Sequence, residues 1–154
     1  MTGLYYEEYV PGTIYTTVGR TVTESDIGLF SGLSGDHNQL HTNDEWVRAN
    51  TNFPGRIAHG PLGLAIAMGL GAQLGLSQDT TVAFMEIENW KFKGPILIGD
   101  TISCEIEIAE KRETSKPHVG VLKRDIRVMN QRGEVVQEGR TVTLVKRREA
   151  EVER

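Results

Sequence analysis

The twelve residues Phe30-Ser-Gly-Leu-Ser-Gly-Asp-His-Asn-Gln-Leu-His41 carry an aspartate, an asparagine, two histidines and two glycines between apolar positions. That is more titratable chemistry than packing requires. A carboxylate is anionic at neutral pH, and an imidazole gains or loses a proton near it. Asp36 and His41 converging on one water would divide general-base and general-acid roles between them. Their spacing corresponds to a rotation of about 140° on a regular helix, so one helix does not aim both at the same atom. A turn does, and Gly35 and Asn38 are residue types that tolerate the left-handed backbone such a turn uses. The residues alone leave a structural reading open, in which Asp36 and Asn38 cap the turn and His41 is a satisfied, half-buried histidine.

The segment His59-Gly60-Pro61 is the second candidate. The first-turn amides of a helix lack internal partners and carry the positive end of its dipole. Gly60 N–H is therefore placed to meet a developing oxyanion, and Pro61, with no N–H, focuses that role on Gly60. Tight packing alone is the competing explanation for Gly60, and His59 is expected to order the turn rather than react. A metal is not called for. His37 and His41 are four apart and His59 follows, but no His-Glu-x-x-His, cysteine pair or Asp-rich loop accompanies them. Ser31 and Ser34 lack a nucleophile-elbow context. Cys104 falls in a buried strand alternation and reads as an inert core thiol.

These groups need elements to hold them. Thr13 to Val18 is rich in β-branched and aromatic residues and reads as a strand. Thr23 precedes a capping-box-like start with Asp26 in the third position, which predicts a helix over about 24–33. Asn43 suits the N-cap of a second short helix through Ala49, with Asp44 and Glu45 in its first turn. The run from Gly60 to Leu74 is apolar nearly all round, with Pro61 suited to the first helical position and Gly75 to the stop. At ~1.5 Å per residue it spans some 20 Å, enough to be the spine of a small domain. Gly60, Gly63, Gly69 and Gly71 weaken this helix, and close approach of backbone or a ligand would explain them.

From Thr81 the period changes to two. Ile102, Cys104, Ile106 and Ile108 alternate with Thr101, Ser103, Glu105 and Glu107, the pattern of an antiparallel strand buried on one face. Residues 81–93, 119–129 and 134–145 have similar character, with turns at Gly99-Asp100 and Asn130 to Gly133. The order predicts an α+β domain, a curved antiparallel sheet around one helix.

The 154 residues suit a single domain, 1–154, with an N-terminal arm at 1–11 and a charged tail at 147–154. With 38% apolar and 25% charged residues, neither disorder nor a disulfide scaffold is indicated. One cysteine and an N-terminus without a basic start or apolar run point to a reducing, cytoplasmic setting. The richest apolar segment, Pro61 to Leu76, is interrupted by glycines, so no membrane span is expected. A net charge of −4 with scattered cations shows no nucleic-acid footprint.

The motif Phe30, then Gly35-Asp36-His37-Asn38-Gln39-Leu40-His41, resembles the MaoC-like dehydratases, which include the (R)-specific enoyl-CoA hydratases. Arg56-Ile-Ala-His-Gly60 resembles the family's helix start, and Gly94 to Asp100 and Asn130 to Glu134 its sheet turns. The resemblance implies a hot-dog fold wrapped around the helix from Gly60, a homodimer or higher homo-oligomer, and reversible hydration of 2-enoyl thioesters. It implies Asp36 and His41 as the acid/base pair, Asn38 as a holder of the water, and Gly60 N–H as the oxyanion donor. Phe30, His59, Leu62 and Arg56 are candidate substrate contacts, with Lys91 and Lys93 further candidates for the coenzyme A phosphates. The acyl carrier is coenzyme A or a carrier protein, and no cofactor is expected. Gln39 stands where the family usually has proline, and Pro61 where a methionine or similar residue is common. A hot-dog thioesterase and a non-catalytic acyl-binding subunit are the alternatives.

Overall fold

The computed structural model describes residues 3–148. Two short strands, β1 (Ile14–Thr16) and β2 (Arg20–Thr21), precede three helices, α1 (Glu24–Ser34), α2 (Gln39–Thr42) and α3 (Asp44–Asn50). The apolar helix α4 (Gly60–Gln73) then leads into four long strands: β3 (Thr81–Phe92), β4 (Thr101–Glu113), β5 (Val119–Met129) and β6 (Val135–Lys146). All pairings are antiparallel, in the order β1-β4-β5-β6-β3, with β2 also on β4.

The predicted alternation in β4 is realised. Ile102, Cys104, Ile106 and Ile108 are buried, and the first three join Ile126 and Val128 of β5 and Leu62, Ile66, Ala67 and Leu70 of α4 in one core cluster. Each such aliphatic side chain contributes about 1.5–3 kcal/mol when fully buried, so α4 is held by its surroundings rather than by its glycine-rich sequence. Gly63 explains one of those glycines, because an added Cβ would lie 2.2 Å from Gln137 Nε2. Gly69 does not fit the close-approach expectation, since nothing lies within 4 Å of its virtual Cβ.

Several expectations need correction. The helix α4 begins at Gly60, so Pro61 occupies its second position. The first strand is interrupted, and across the gap Thr17 N–H donates to Cys104 O (2.9 Å) while Cys104 N–H donates to Thr17 Oγ1 (2.9 Å). The N-terminal arm is docked rather than a simple lead-in. It contains a 3₁₀ turn at Tyr6–Glu8, and its Tyr6 and Tyr9 are buried with Ile108, Leu122 and Val145 in a second cluster. Of the charged tail, Arg147 pairs with Glu7 and Glu113 and Arg148 with Glu8, tying the end of β6 to the arm. Residues 149–154 lie outside the described residues.

The turns were well signalled. Gly99 and Gly133 have positive φ, and Asp100, 3% exposed, locks the two turns together. It accepts from Leu97 N–H (2.9 Å), Gln131 Nε2 (2.8 Å) and Arg132 Nη1 (3.0 Å). Burial would raise its pKa, but the hydrogen bonds from Leu97, Gln131 and Arg132 and the charge of Arg132 win, and its carboxyl is held below the usual range.

Candidate active site

Thr23 and Asp26 form the predicted capping box of α1, and Gly35, at φ 76°, ends the helix with its N–H donated to Ser31 O (2.9 Å). Past that stop the chain is pinned residue by residue. Asp36 N–H donates to Ser34 Oγ (3.2 Å), Asn38 N–H to Asp36 Oδ1 (3.1 Å), and Leu40 N–H to Asn38 Oδ1 (3.0 Å). The last bond caps α2, a single turn that carries His41. The motif is therefore an irregular segment after Gly35 followed by a short helix, and Asn38, at φ −55°, is an N-cap rather than a left-handed turn residue.

His41 is fixed from outside its helix. Its Nδ1 lies 2.7 Å from Ile57 O, and because a carbonyl only accepts, Nδ1 carries the proton. That leaves Nε2 as the ring nitrogen not engaged by the backbone. Ile57 N–H in turn donates to Leu40 O (3.1 Å), so α2 and the strand-like segment before α4 are stapled in both directions.

His59, 1% exposed, fills the space behind this pair. Its Nε2 lies 3.0 Å from Asp36 O and 3.3 Å from Ser31 Oγ, which assigns the ring proton to Nε2. Its ring stacks on His41, with centroids 3.7 Å apart and planes 28° apart, and packs at a tilt against Phe30 at 4.9 Å. One oxygen of Asp36 and one ring nitrogen of each histidine lie within 4.8 Å of one another. Such a trio invites a metal, but the stacking argues against a shared one. Planes at 28° across 3.7 Å converge only ~7 Å away, whereas a bound zinc lies ~2.0–2.1 Å from each nitrogen. A water suits the gap better, since two hydrogen bonds of ~2.8 Å from one oxygen span ~4.4 Å between acceptors.

His59 also hands the chain to α4. Among the described residues, Gly60 N–H has no hydrogen-bond partner, while Gly60 O accepts from Gln137 Nε2 (3.0 Å), whose Oε1 accepts from Trp90 Nε1–H (3.1 Å). The Phe92 ring covers Gly60 so closely that an added Cβ would lie 2.8 Å from it. A cavity of about 360 Å³ opens beside Gly60, lined by Phe53, Ile57, Phe92 and Gln137 among others.

The structure thus brings Asp36, Asn38, His41, Phe30 and His59 together, with Gly60 next in the chain to His59. Leu62 is buried in the core cluster. Arg56 is engaged with Glu24 (2.7 Å) and Asp44 (3.0 Å), clamping α1 to α3. Its hydrogen bonds hold the Asp44 carboxyl below the usual range. Lys93 pairs with Glu138 (3.1 Å). Ser31 and Ser34 serve His59 and the Phe30 carbonyl. Sequence reasoning missed the Trp90–Gln137 relay and the Ile57 carbonyl. The first had a faint signal, a glutamine at an inward position of β6, and the second had none.

Comparison with known proteins identifies the family and the fold. The family model described as MaoC like domain matches residues 8–129. The (R)-specific enoyl-CoA hydratase of Rhodospirillum rubrum is 35% identical over 105 residues, 68% of this chain and 70% of that protein. An Archaeoglobus structure described as a monoamine oxidase regulatory protein superposes with a TM-score of 0.88 at 35% identity, covering 96% of this chain and 97% of that one. A Mycobacterium tuberculosis protein with a double hot-dog fold superposes with a TM-score of 0.85 at 19% identity, covering 94% of this chain and 44% of that one. The sheet wrapped on α4 is thus a hot-dog fold.

Proposed function

The chain belongs to the MaoC-like domain family, and from that premise we propose that it is a hydro-lyase adding water reversibly to 2-enoyl thioesters of coenzyme A. The observation that carries the reading is a carboxylate oxygen of Asp36 within 4.8 Å of a ring nitrogen of His41, whose Nδ1 is tied to Ile57 O. In the direction of hydration, a water bridges Asp36 and His41. His41 Nε2 takes one water proton as the oxygen bonds to the β-carbon, and the C=C electrons move toward the thioester carbonyl. Gly60 N–H stabilises the oxygen as it becomes enolate-like, a role in which one donor contributes about 2.7–4 kcal/mol. The imidazolium then gives its proton to the α-carbon, and the enolate electrons form the C–H bond. Asp36 orients the water and offsets the charge on His41, and the Asn38 amide, with its oxygen committed to Leu40 N–H, offers Nδ2 to the same water.

The reading includes a second copy of the chain on the outer edge of β3. Among the described residues that strand pairs only with β6, and Val82, Phe84, Met85, Ile87 and Phe92 along it are exposed. An apolar open edge of this length is covered in a stable protein, so the protein is expected to sediment as a dimer or larger. No helix among the described residues is long and apolar enough to cross a membrane.

A panel of 2-enoyl-CoA and 3-hydroxyacyl-CoA substrates of graded chain length tests the activity. Consumption of the enoyl group without release of free thiol supports the hydro-lyase reading; release of coenzyme A thiol with the enoyl group intact points to a thioesterase and overturns it.

A further inference from the structure

The inward face of β5 reads Leu122, Arg124, Ile126, Val128, so a guanidinium interrupts an otherwise apolar stripe on the sheet's central strand. Leu122 belongs to the second core cluster and Ile126 to the first, which places Arg124 at the seam between them. Arginine stays charged in proteins, and a charge drawn into a protein interior is ordinarily paired. Here its partners are neutral. Arg124 donates to Ser77 Oγ (2.8 Å), Thr143 Oγ1 (3.1 Å) and Tyr9 OH (3.4 Å), and lies over the Tyr9 ring at 5.5 Å. No carboxylate among the described residues lies within ion-pair distance of it, although most other arginines there have one.

Arg124 faces a cavity of about 430 Å³, in the size range of small-molecule sites. Its other walls are apolar along Met68, Leu76, Phe84 and Ile106 and also carry Asp79 and Thr141. This cavity lies along the last turns of α4. Gly71, in its wall, is ~16 Å along the helix axis from Gly60, and none of Asp36, His41, His59 or Gly60 lines it. Hydroxyls of Ser77 and Thr143 flank the cation, which leaves N–H groups of the guanidinium for an acceptor in the cavity.

We infer that this cavity binds an aliphatic chain ending in a carboxylate, with the carboxylate on Arg124, Ser77 and Thr143 and the chain against the apolar wall. The apolar wall disfavours a compact polyanion, and the unpaired cation disfavours a neutral lipid. A free alkanoate and the far end of an ω-carboxylated acyl chain share this chemistry.

The test is calorimetric titration of the whole protein with decanoate and with 1-decanol, below their aggregation concentrations. Wild type is expected to bind decanoate about tenfold or more tightly than decanol, the difference made by a charge-assisted hydrogen bond. Arg124→Gln retains a hydrogen-bonding side chain toward Ser77 and Thr143 but no charge, and should lose that preference. Arg124→Lys should keep most of it, and thermal melts confirm that both variants fold. Equal affinity for the two probes, no binding of decanoate, or a preference that survives in Arg124→Gln overturns the inference. Repeating the titration with a long-chain 2-enoyl-CoA present distinguishes the sources: displacement of decanoate assigns the cavity to a substrate tail, and undisturbed binding assigns it to a separate acid. The readout is binding, so it stands or falls independently of hydro-lyase activity.

Discussion

His41 and His59 lie face to face at 3.7 Å, each with one ring nitrogen donating to a backbone carbonyl: His41 to Ile57 and His59 to Asp36. The two bonds fix both tautomers and hold the carboxylate and the base in one frame. His59 thereby packs against the His41 ring and holds the backbone of Asp36.

Replacing His59 with phenylalanine keeps an aromatic surface against His41 but leaves Asp36 O without its donor. The expected result is a loss of about 1–3 kcal/mol in stability, with a fall in kcat and little change in KM. Urea unfolding and steady-state kinetics measure both. An unchanged kcat would remove His59 from its positioning role.

Gln137 connects Trp90 to the carbonyl of Gly60. Gln137→Leu matches it roughly in size but strands a half-buried carbonyl and an indole N–H. It should cost about 1–3 kcal/mol in urea unfolding and lower kcat as Gly60 drifts. Gln137→Glu, which retains an acceptor for Trp90 but repels the Gly60 carbonyl when ionised, should recover less activity at high pH than at low pH.

Asp100 gives a pH dependence of stability. Its carboxyl is held below the usual range when folded, so the unfolded chain takes up the proton first as pH falls. The stabilisation is fully present above the ordinary aspartate pKa and is lost as pH drops through the folded value. Asp100→Asn should therefore be less stable than wild type by about 1.5–3 kcal/mol at neutral pH, and the gap should close in acid. Thermal melts from pH 7 downward check it; a constant gap contradicts it.

The features that the sequence made legible are those carried by local chemistry. Thr23 with Asp26, Asn43 before its helix, Gly99 and Gly133 each act within a few residues, and the period-two pattern of β4 stands clear because one face is buried. The Asp36 to His41 motif was readable as a place where a helix does not suffice, although the turn's own helix, α2, was not foreseen because it is only four residues long. Contacts between distant segments left no such trace. The docking of Tyr6 and Tyr9, the bond from Gln137 to Gly60 and the pairing of Arg56 with Glu24 depend on where the sheet folds over. Arg124 marred the alternation of β5, and only the cavity in front of it gives that interruption a reason.

The most direct test of the account is the rate of water addition to a short 2-enoyl-CoA, followed by loss of the conjugated enoyl absorbance, in wild type, Asp36→Asn and His41→Ala. Wild type is expected to turn over, with kcat lower by about 10²–10⁴-fold in each variant and native melting curves retained. Turnover by wild type that persists undiminished in both variants would contradict it.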